Sequence, residues 1–417
     1  MKITLSFVLA LILAFAGAAW AQDSLHVRRV AQMSLSGNLR NVCVQGDYSY
    51  VMALNGGLYI IDISDSTSPR LVYNYDPVAP VLGGAVRNDL IFLALDESGV
   101  QALNVADPAN PHVLGILNTP GHAYSVELCS EYAYVADYNT GLHVIRISNP
   151  DTLSEVGFLD TPGYARDVAI EGDWAYLADG TQGLRVIGIA DPAHPQDVGY
   201  YNTPGAATGV AVRNSLAYVA DVSGGLRIIS VESPSAPLPV GAFQTATAMD
   251  VALAVTDSFA FLADEASGLR VIAIADPAHP QEVGYYLTDG EALGVAARRH
   301  LVFVADDSYF GIYDVTEAVS AARERTRATP RDYAILRAYP NPFNSTTTLQ
   351  LSLPRLIRGR LVVHDIAGRT VCVLADGDLM PGESEVRFDA SVLASGVYFV
   401  RLECEPLAAT QKIYLVR

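Results

Sequence analysis

A 42-residue period, four short strand-like runs in each period and complementary partial units at the two ends of the array predict an all-β protein. The expected architecture is a seven-bladed β-propeller closed by an N-terminal strand and followed by a small Ig-like β-sandwich. The period is read from the glycine ahead of each Leu/Val-rich run. Gly57, Gly99, Gly141, Gly183, Gly225 and Gly268 are spaced by 42, 42, 42, 42 and 43 residues. The two clearest copies run from Ala175 to Gly199 and from Ala260 to Gly284.

The first 21 residues read as an export signal rather than as part of the fold. Lys2 supplies a positive n-region, Ile3 to Gly17 is apolar, and Ala19-Trp20-Ala21 is an A-x-A cleavage site. Cleavage between Ala21 and Gln22 is expected. The apolar run is short of the ~20 residues that span a bilayer, so no transmembrane segment is expected after signal removal. The chain carries 45 Asp and Glu against 27 Lys and Arg, a net charge of −18. That balance argues against nucleic acid, which rewards basic patches.

Residues 22–316 carry the repeats. In the fourth, the strand-like runs are Ala165 to Ile170, Trp174 to Ala178, Leu184 to Ala190 and Gln196 to Tyr201. Turn chemistry separates them: Glu171-Gly172-Asp173, Gly180-Thr181-Gln182-Gly183 and Asp191-Pro192-Ala193-His194-Pro195. The prolines lack a ladder donor and belong between strands. Four antiparallel strands at a period in the low forties are the pattern of a propeller blade. Six repeats show Gly-Leu-x-Val-Ile or a close variant. A seventh, Leu301 to Val315, stops after its third strand, and Leu25 to Met33 supplies the missing fourth from the other end of the chain. Closure of this kind removes open sheet edges.

The strands Leu184-Arg185-Val186-Ile187-Gly188-Ile189 and Leu269-Arg270-Val271-Ile272-Ala273-Ile274, each followed by Ala-Asp-Pro-x-x-Pro-x-x-Val-Gly, resemble the LVIVD repeat over about residues 25–316. The resemblance implies a propeller on an exported or surface protein and assigns no chemistry.

Residues 317–336 are Ala- and Arg-rich and read as a linker with at most a helical turn or two. Residues 337–417 read as a separate β-sandwich. Its strands fall near Thr347 to Leu353, Gly359 to Asp365, Thr370 to Leu374, Ser384 to Asp389, Gly396 to Glu403 and Gln411 to Val416. Cys372 and Cys404 lie in two of these runs. An exported protein can oxidise such a pair, and spacing leaves the pairing open. Four motifs stand in order: Tyr339-Pro340-Asn341-Pro342-Phe343-Asn344, Asp365-Ile366-Ala367-Gly368-Arg369, Gly396-Val397-Tyr398 within a longer run, and Lys412-Ile413-Tyr414-Leu415-Val416. Together they resemble the C-terminal sorting domain of type IX secretion cargo. The resemblance implies bacterial secretion machinery as a partner through residues 337–417. It also implies passage via the periplasm of a Gram-negative bacterium to the outer cell surface or the extracellular space.

Candidate chemistry is sparse. In an up-and-down blade the turn after the second strand shares a face with the connection between blades. That face collects Asp137, Asp179, Asp221, Asp264 and Asp306 with Thr119-Pro120-Gly121 and its copies. Such a partial ring can bind a polyhydroxyl ligand or a cation, calcium being the cofactor it suits. Alternatively each Asp accepts backbone N–H groups in its own turn, and repetition favours that reading. His112, His194 and His279 recur in the Asp-Pro turns of separate blades and lack convergent partners. Asp167 and Asp250, at the start of inner strands, can reach the channel. No nucleophile elbow, phosphate loop or zincin motif occurs, and no catalytic residue, resident metal or cofactor is assigned. The expected function is a surface or secreted binding module for glycan, peptide or protein. A hydrolase or lactonase-like enzyme needs three or four metal ligands converging on the axis. A display spacer needs no site.

Overall fold

The computed structural model describes residues 24–77, 79–253, 258–327, 335–353, 357–380, 382–403 and 408–416. The chain divides into two compact bodies, 1–321 and 322–417. Strands dominate both, and one helix, Thr316–Arg327, occurs among the described residues.

In the repeat body each 42-residue period is an antiparallel sheet. The fourth repeat is built from Asp167–Glu171, Trp174–Ala178, Leu184–Gly188 and Gln196–Tyr201, paired in sequence order. The fourth strand skips a residue against the third, Val186 facing Gly199 and Ile187 facing Asp197. The same bulge recurs between Val144 and Ile145, Ile228 and Ile229, and Val271 and Ile272. It adds local twist at the outer edge of each sheet.

The strands read as continuous apolar runs because both faces are covered. Ala175 and Leu177 pack with the third repeat, while Tyr176 and Ala178 pack with the fifth. Each core is therefore shared between successive repeats. The Val-Gly of the fourth strand has the same origin. A Cβ at Gly157, Gly199 or Gly241 would overlap the carbonyl of Pro192, Pro234 or Pro277 in the following repeat. The Asp-Pro turn and the Val-Gly strand are thus two sides of one contact. Gly183, with φ +75°, adopts the left-handed conformation that its turn requires.

The two ends of the array meet. Leu301–Asp314 pairs through its first half with Ala292–Arg298 and through its second half with Arg28–Gln45. The register there runs Arg28 to Asp314, Gln32 to Gly311 and Ser34 to Tyr309. Phe303, Phe310 and Ile312 share one core with Val42, Val51 and Ile61 of the first repeat. The N-terminus reaches further than expected. Ser24–Leu25 adds a short fifth strand to the sixth repeat, against Tyr286 and Tyr285, before the chain turns at His26.

Asp314 accepts from the N–H and hydroxyl of Thr316 at 2.9 and 2.6 Å and starts the helix Thr316–Arg327. Its twelve residues exceed the turn or two expected of a linker. Residues 328–334 lie outside the described residues.

Among the described residues the C-terminal body has seven strands in two sheets. Ile335–Tyr339, Thr346–Leu353 and Gly382–Asp389 form one; Thr370–Leu379, Ile357–Asp365, Gly396–Glu403 and Ala408–Leu415 form the other. Leu349, Leu351 and Phe388 face Leu361, Val363, Val400 and Ile413 across one core. Ile335–Tyr339 is a strand absent from the sequence expectation. Cys404, one half of the pair considered above, lies outside the described residues, as do Ala21 and Gln22.

Candidate functional site

The structure places Asp137, Asp179, Asp221, Asp264 and Asp306 beneath the surface, with no exposed area on any of them. Each carboxylate holds the connector that enters its own repeat. Asp137 accepts from the Thr119 hydroxyl at 2.6 Å and from the Gly121 N–H at 2.8 Å. Asp179 accepts from Thr161 at 2.7 Å and Gly163 at 3.1 Å, and Asp221 from Thr203 and Gly205. Asp264 accepts from the Thr247 N–H at 2.8 Å and Asp306 from the Gly290 N–H at 3.1 Å. The next residue bridges forward: Tyr138 pairs with Ala165, Gly180 with Ala207 and Glu265 with Ala292. Every such turn therefore grips the connector behind it and the connector ahead.

The basic residue of the third strand completes the latch. His143, Arg185, Arg227 and Arg270 lie 3.5, 3.1, 3.7 and 3.5 Å from Asp137, Asp179, Asp221 and Asp264. Burial pushes Asp179 and Asp221 up, opposed by their hydroxyl, N–H and guanidinium partners. Asp306 is pushed up to about 6, first by burial. The seventh repeat has Gly311 at the position where these four carry the cation.

His194 and His279 are exposed and bond the Asp191 and Asp276 of their own turns at 2.8 and 2.9 Å; His112 is exposed on its strand. Among the described residues no group of three or more His, Cys, Asp or Glu side chains converges for a metal.

A second location brings the repeats together. A cavity of about 310 Å³ opens where the innermost strands begin. One residue from each repeat lines it: Arg40, Leu82, Tyr124, Arg166, Thr208, Met249 and Leu293. Asp167 and Asp250 line it as well. Asp167 accepts from the Ser125 hydroxyl at 2.7 Å and the Val210 N–H at 2.8 Å; Asp250 accepts from the N–H groups of Val251 and Val295 at 2.7 and 2.9 Å. Burial raises both carboxyls, and the charge of Asp250 raises Asp167 further. Beside the cavity, Tyr124, Tyr138 and Tyr164 stack at 5.0 and 4.6 Å, and Arg166 sits over Tyr138 at 5.9 Å. Asp96 is held by His122 at 2.7 Å.

Sequence reasoning reached Asp167 and Asp250 but missed Arg40, Tyr124 and Arg166. The available signal was disagreement between repeats. Two positions beyond the lining residue stand Val42, Val126, Val168, Val210, Val251 and Val295, whereas the lining position changes chemistry from repeat to repeat.

In the C-terminal body the first and last motifs are one construction. The Asn341 side chain donates to the Lys412 carbonyl at 2.9 Å and accepts from the Tyr414 N–H at 2.8 Å. Phe343 is buried, and its backbone bonds Tyr414 and Val416. Pro340 accepts from Thr347 at 2.7 Å; Tyr339, Pro342 and Asn344 are exposed. Gly368, at φ +77°, lets Arg369 turn back to Asp365 at 2.7 Å. Gly396 opens the strand on which Val397 pairs with Tyr414, and Tyr398 donates to the Ala394 carbonyl at 2.8 Å.

The LVIVD repeat family matches residues 36–77, 120–161, 162–203, 204–245 and 247–288, just over half of the chain. The secretion system C-terminal sorting domain matches residues 337–416. No curated protein matches the chain in sequence. Among solved structures, the β-propeller domain of Cps50 (Swd1) from Myceliophteria thermophila is similar at TM-score 0.57 and 13% identity, covering 70% of this chain and all of that one. A chain of the mitotic checkpoint complex is similar at TM-score 0.58 and 11% identity over 74% and 99% of the two chains. The computationally designed Ika8 protein is similar at TM-score 0.51 and 9% identity over 66% and 83%. At these identities the likeness speaks for a propeller-like fold alone. The chain belongs to the LVIVD repeat family and ends in a type IX secretion sorting domain, which makes it an exported protein of the cell surface or extracellular space.

Proposed function

We propose that this protein is an exported binding module whose repeat body is a closed seven-bladed propeller presenting the channel mouth to a ligand. The observation that carries the reading is the contrast between conserved framework and varied lining within one chain. Residues that serve the repeat recur in it; the cavity position holds Arg, Leu, Tyr, Arg, Thr, Met and Leu in turn. Closure is supported by the strand Arg28–Ser34 lying against Tyr309–Asp314. An Ig-like C-terminal sandwich (337–417) is supported by the three-on-four strand order and by the Tyr398 hydroxyl bonded four residues upstream. The five turn aspartates serve as latches in this reading, since each accepts from its connector, although Asp264 Oδ2 and Asp306 Oδ1 are buried without a hydrogen-bond partner.

The test compares wild type with Thr208→Trp, which fills the mouth, on glycan and peptide arrays. Binding lost in the variant at unchanged melting temperature supports the reading. Ligands retained in full by the variant overturn it.

A further inference from the structure

The channel mouth is chemically two-sided. Leu54, Leu82, Met249 and Leu293 come from repeats one, two, six and seven and form an apolar arc, interrupted by Arg40, Asn41, Asp96 and Asp250. The opposite arc, from repeats three to five, is polar. Two arginines stand across the cavity from each other, Arg40 among the leucines and Arg166 beside the tyrosine stack.

The charges in this cavity are not equally engaged. Asp96 is taken by His122, Asp167 by Ser125 and Val210, and Asp250 by Val251 and Val295. Among the described residues neither Arg40 nor Arg166 has an ion pair, and the Nε atom of each is buried without a hydrogen-bond partner. Elsewhere in this acidic chain arginines find carboxylates, as Arg29, Arg70, Arg185 and Arg369 do. A buried donor without an acceptor is unfavourable and rare, and a guanidinium fork is shaped for a carboxylate.

On the proposed binding reading, we infer that the ligand is the end of a peptide, a free C-terminal carboxylate that follows an apolar side chain. The carboxylate satisfies the guanidinium groups, and the side chain covers the leucine and methionine arc. A cavity of about 310 Å³ admits a chain end rather than a long segment. Carboxylate capture of this kind is a recurrent mode of peptide recognition. An acidic sugar would satisfy the arginines but has nothing to lay against the apolar arc.

The experiment is titration of the full exported chain with fluorescein-Gly-Ser-Gly-Leu as the free acid, its C-terminal amide, and a galacturonate trisaccharide. The free acid is expected to bind at least tenfold tighter than the amide. Arg40→Ala and Arg166→Ala should each weaken the acid severalfold while leaving the amide unchanged, which separates lost recognition from a disturbed fold. Equal binding of acid and amide, or no binding of the acid at millimolar concentration, overturns the inference. A trisaccharide that binds alone, and is excluded by Thr208→Trp, sinks the peptide end but keeps the binding module. Trisaccharide binding that Thr208→Trp leaves intact sinks both.

Discussion

Glu127 is the residue at which this repeat array departs from itself most sharply, and the departure has a measurable size. It lies on the innermost strand of the third repeat, directly opposite Tyr134. Five of the other repeats place Ala85, Ala169, Ala211, Ala252 and Ala296 there, opposite Phe92, Tyr176, Tyr218, Phe261 and Phe303, and the first places Cys43 opposite Tyr50. Glu127 therefore puts a carboxyl where the framework keeps a methyl against an aromatic ring. Burial pushes it up to about 7, with Arg87 opposing weakly. An unfolded Glu titrates near ~4.3. Between those values the folded state keeps a proton that the unfolded state releases, so stability from this group falls as pH rises and is gone above about pH 7. At ~1.36 kcal/mol per pH unit the ionised form costs about 3.5 kcal/mol at pH 8 and about 1 kcal/mol at pH 5. Glu127→Ala should gain about 2–3 kcal/mol relative to wild type on going from pH 5 to pH 8. That corresponds to a relative rise in melting temperature of about 3–5 °C for a body of this size. Glu127→Gln, which keeps the shape, should show the same pH dependence. A melting difference that is equal at pH 5 and pH 8 for both variants would refute the argument.

Three further outcomes are expected. Asp179→Ala leaves Arg185, Thr161 and the Gly163 N–H facing an empty place, and urea denaturation should show a loss of about 3–5 kcal/mol; an unchanged midpoint counts against the latch. Deleting residues 24–34 bares the edge of Tyr309–Asp314, so light scattering should detect concentration-dependent association, and a monomeric, equally stable product would argue against ring closure. Asn341→Ala removes both side-chain bonds to the closing strand, each worth about 1 kcal/mol. Amide exchange at Tyr414 should accelerate at least tenfold, with exchange in the Leu361 region little changed.

The framework was legible because the same physics is written repeatedly. Trp174–Ala178 and Gln196–Tyr201 fall where alternation and turn residues put them, and so does Gly396–Glu403 in the C-terminal body. Repetition averages out local ambiguity, and the Asp-Pro and Val-Gly signatures are two ends of one contact. Features that occur once were harder. Ser24–Leu25 reaching Tyr285 and Tyr286 depends on a partner some 260 residues away, and no local pattern announces it. Ile335–Tyr339 borders a Pro-Asn-Pro run that reads as a breaker, yet pairing with Thr348–Ser352 holds it extended. Arg40, Tyr124 and Arg166 acquire meaning only when residues from different repeats are brought to one cavity. Linear periodicity points to the residues that agree, while this cavity is made from those that do not.

The pairing of Arg28–Ser34 with Tyr309–Asp314 also sets a clock. Arg28 and Asp314 are 286 residues apart. At roughly 5–20 residues per second of synthesis, the first strand waits about 15–60 s before its partner exists. Throughout that interval the chain carries an unmatched edge at its leading end, and no intermediate length relieves it. Contacts of such sequence separation also place this body among slow folders. This sheet is thus completed by the earliest piece of the repeat body and its latest, so that a prematurely ended chain leaves it visibly incomplete.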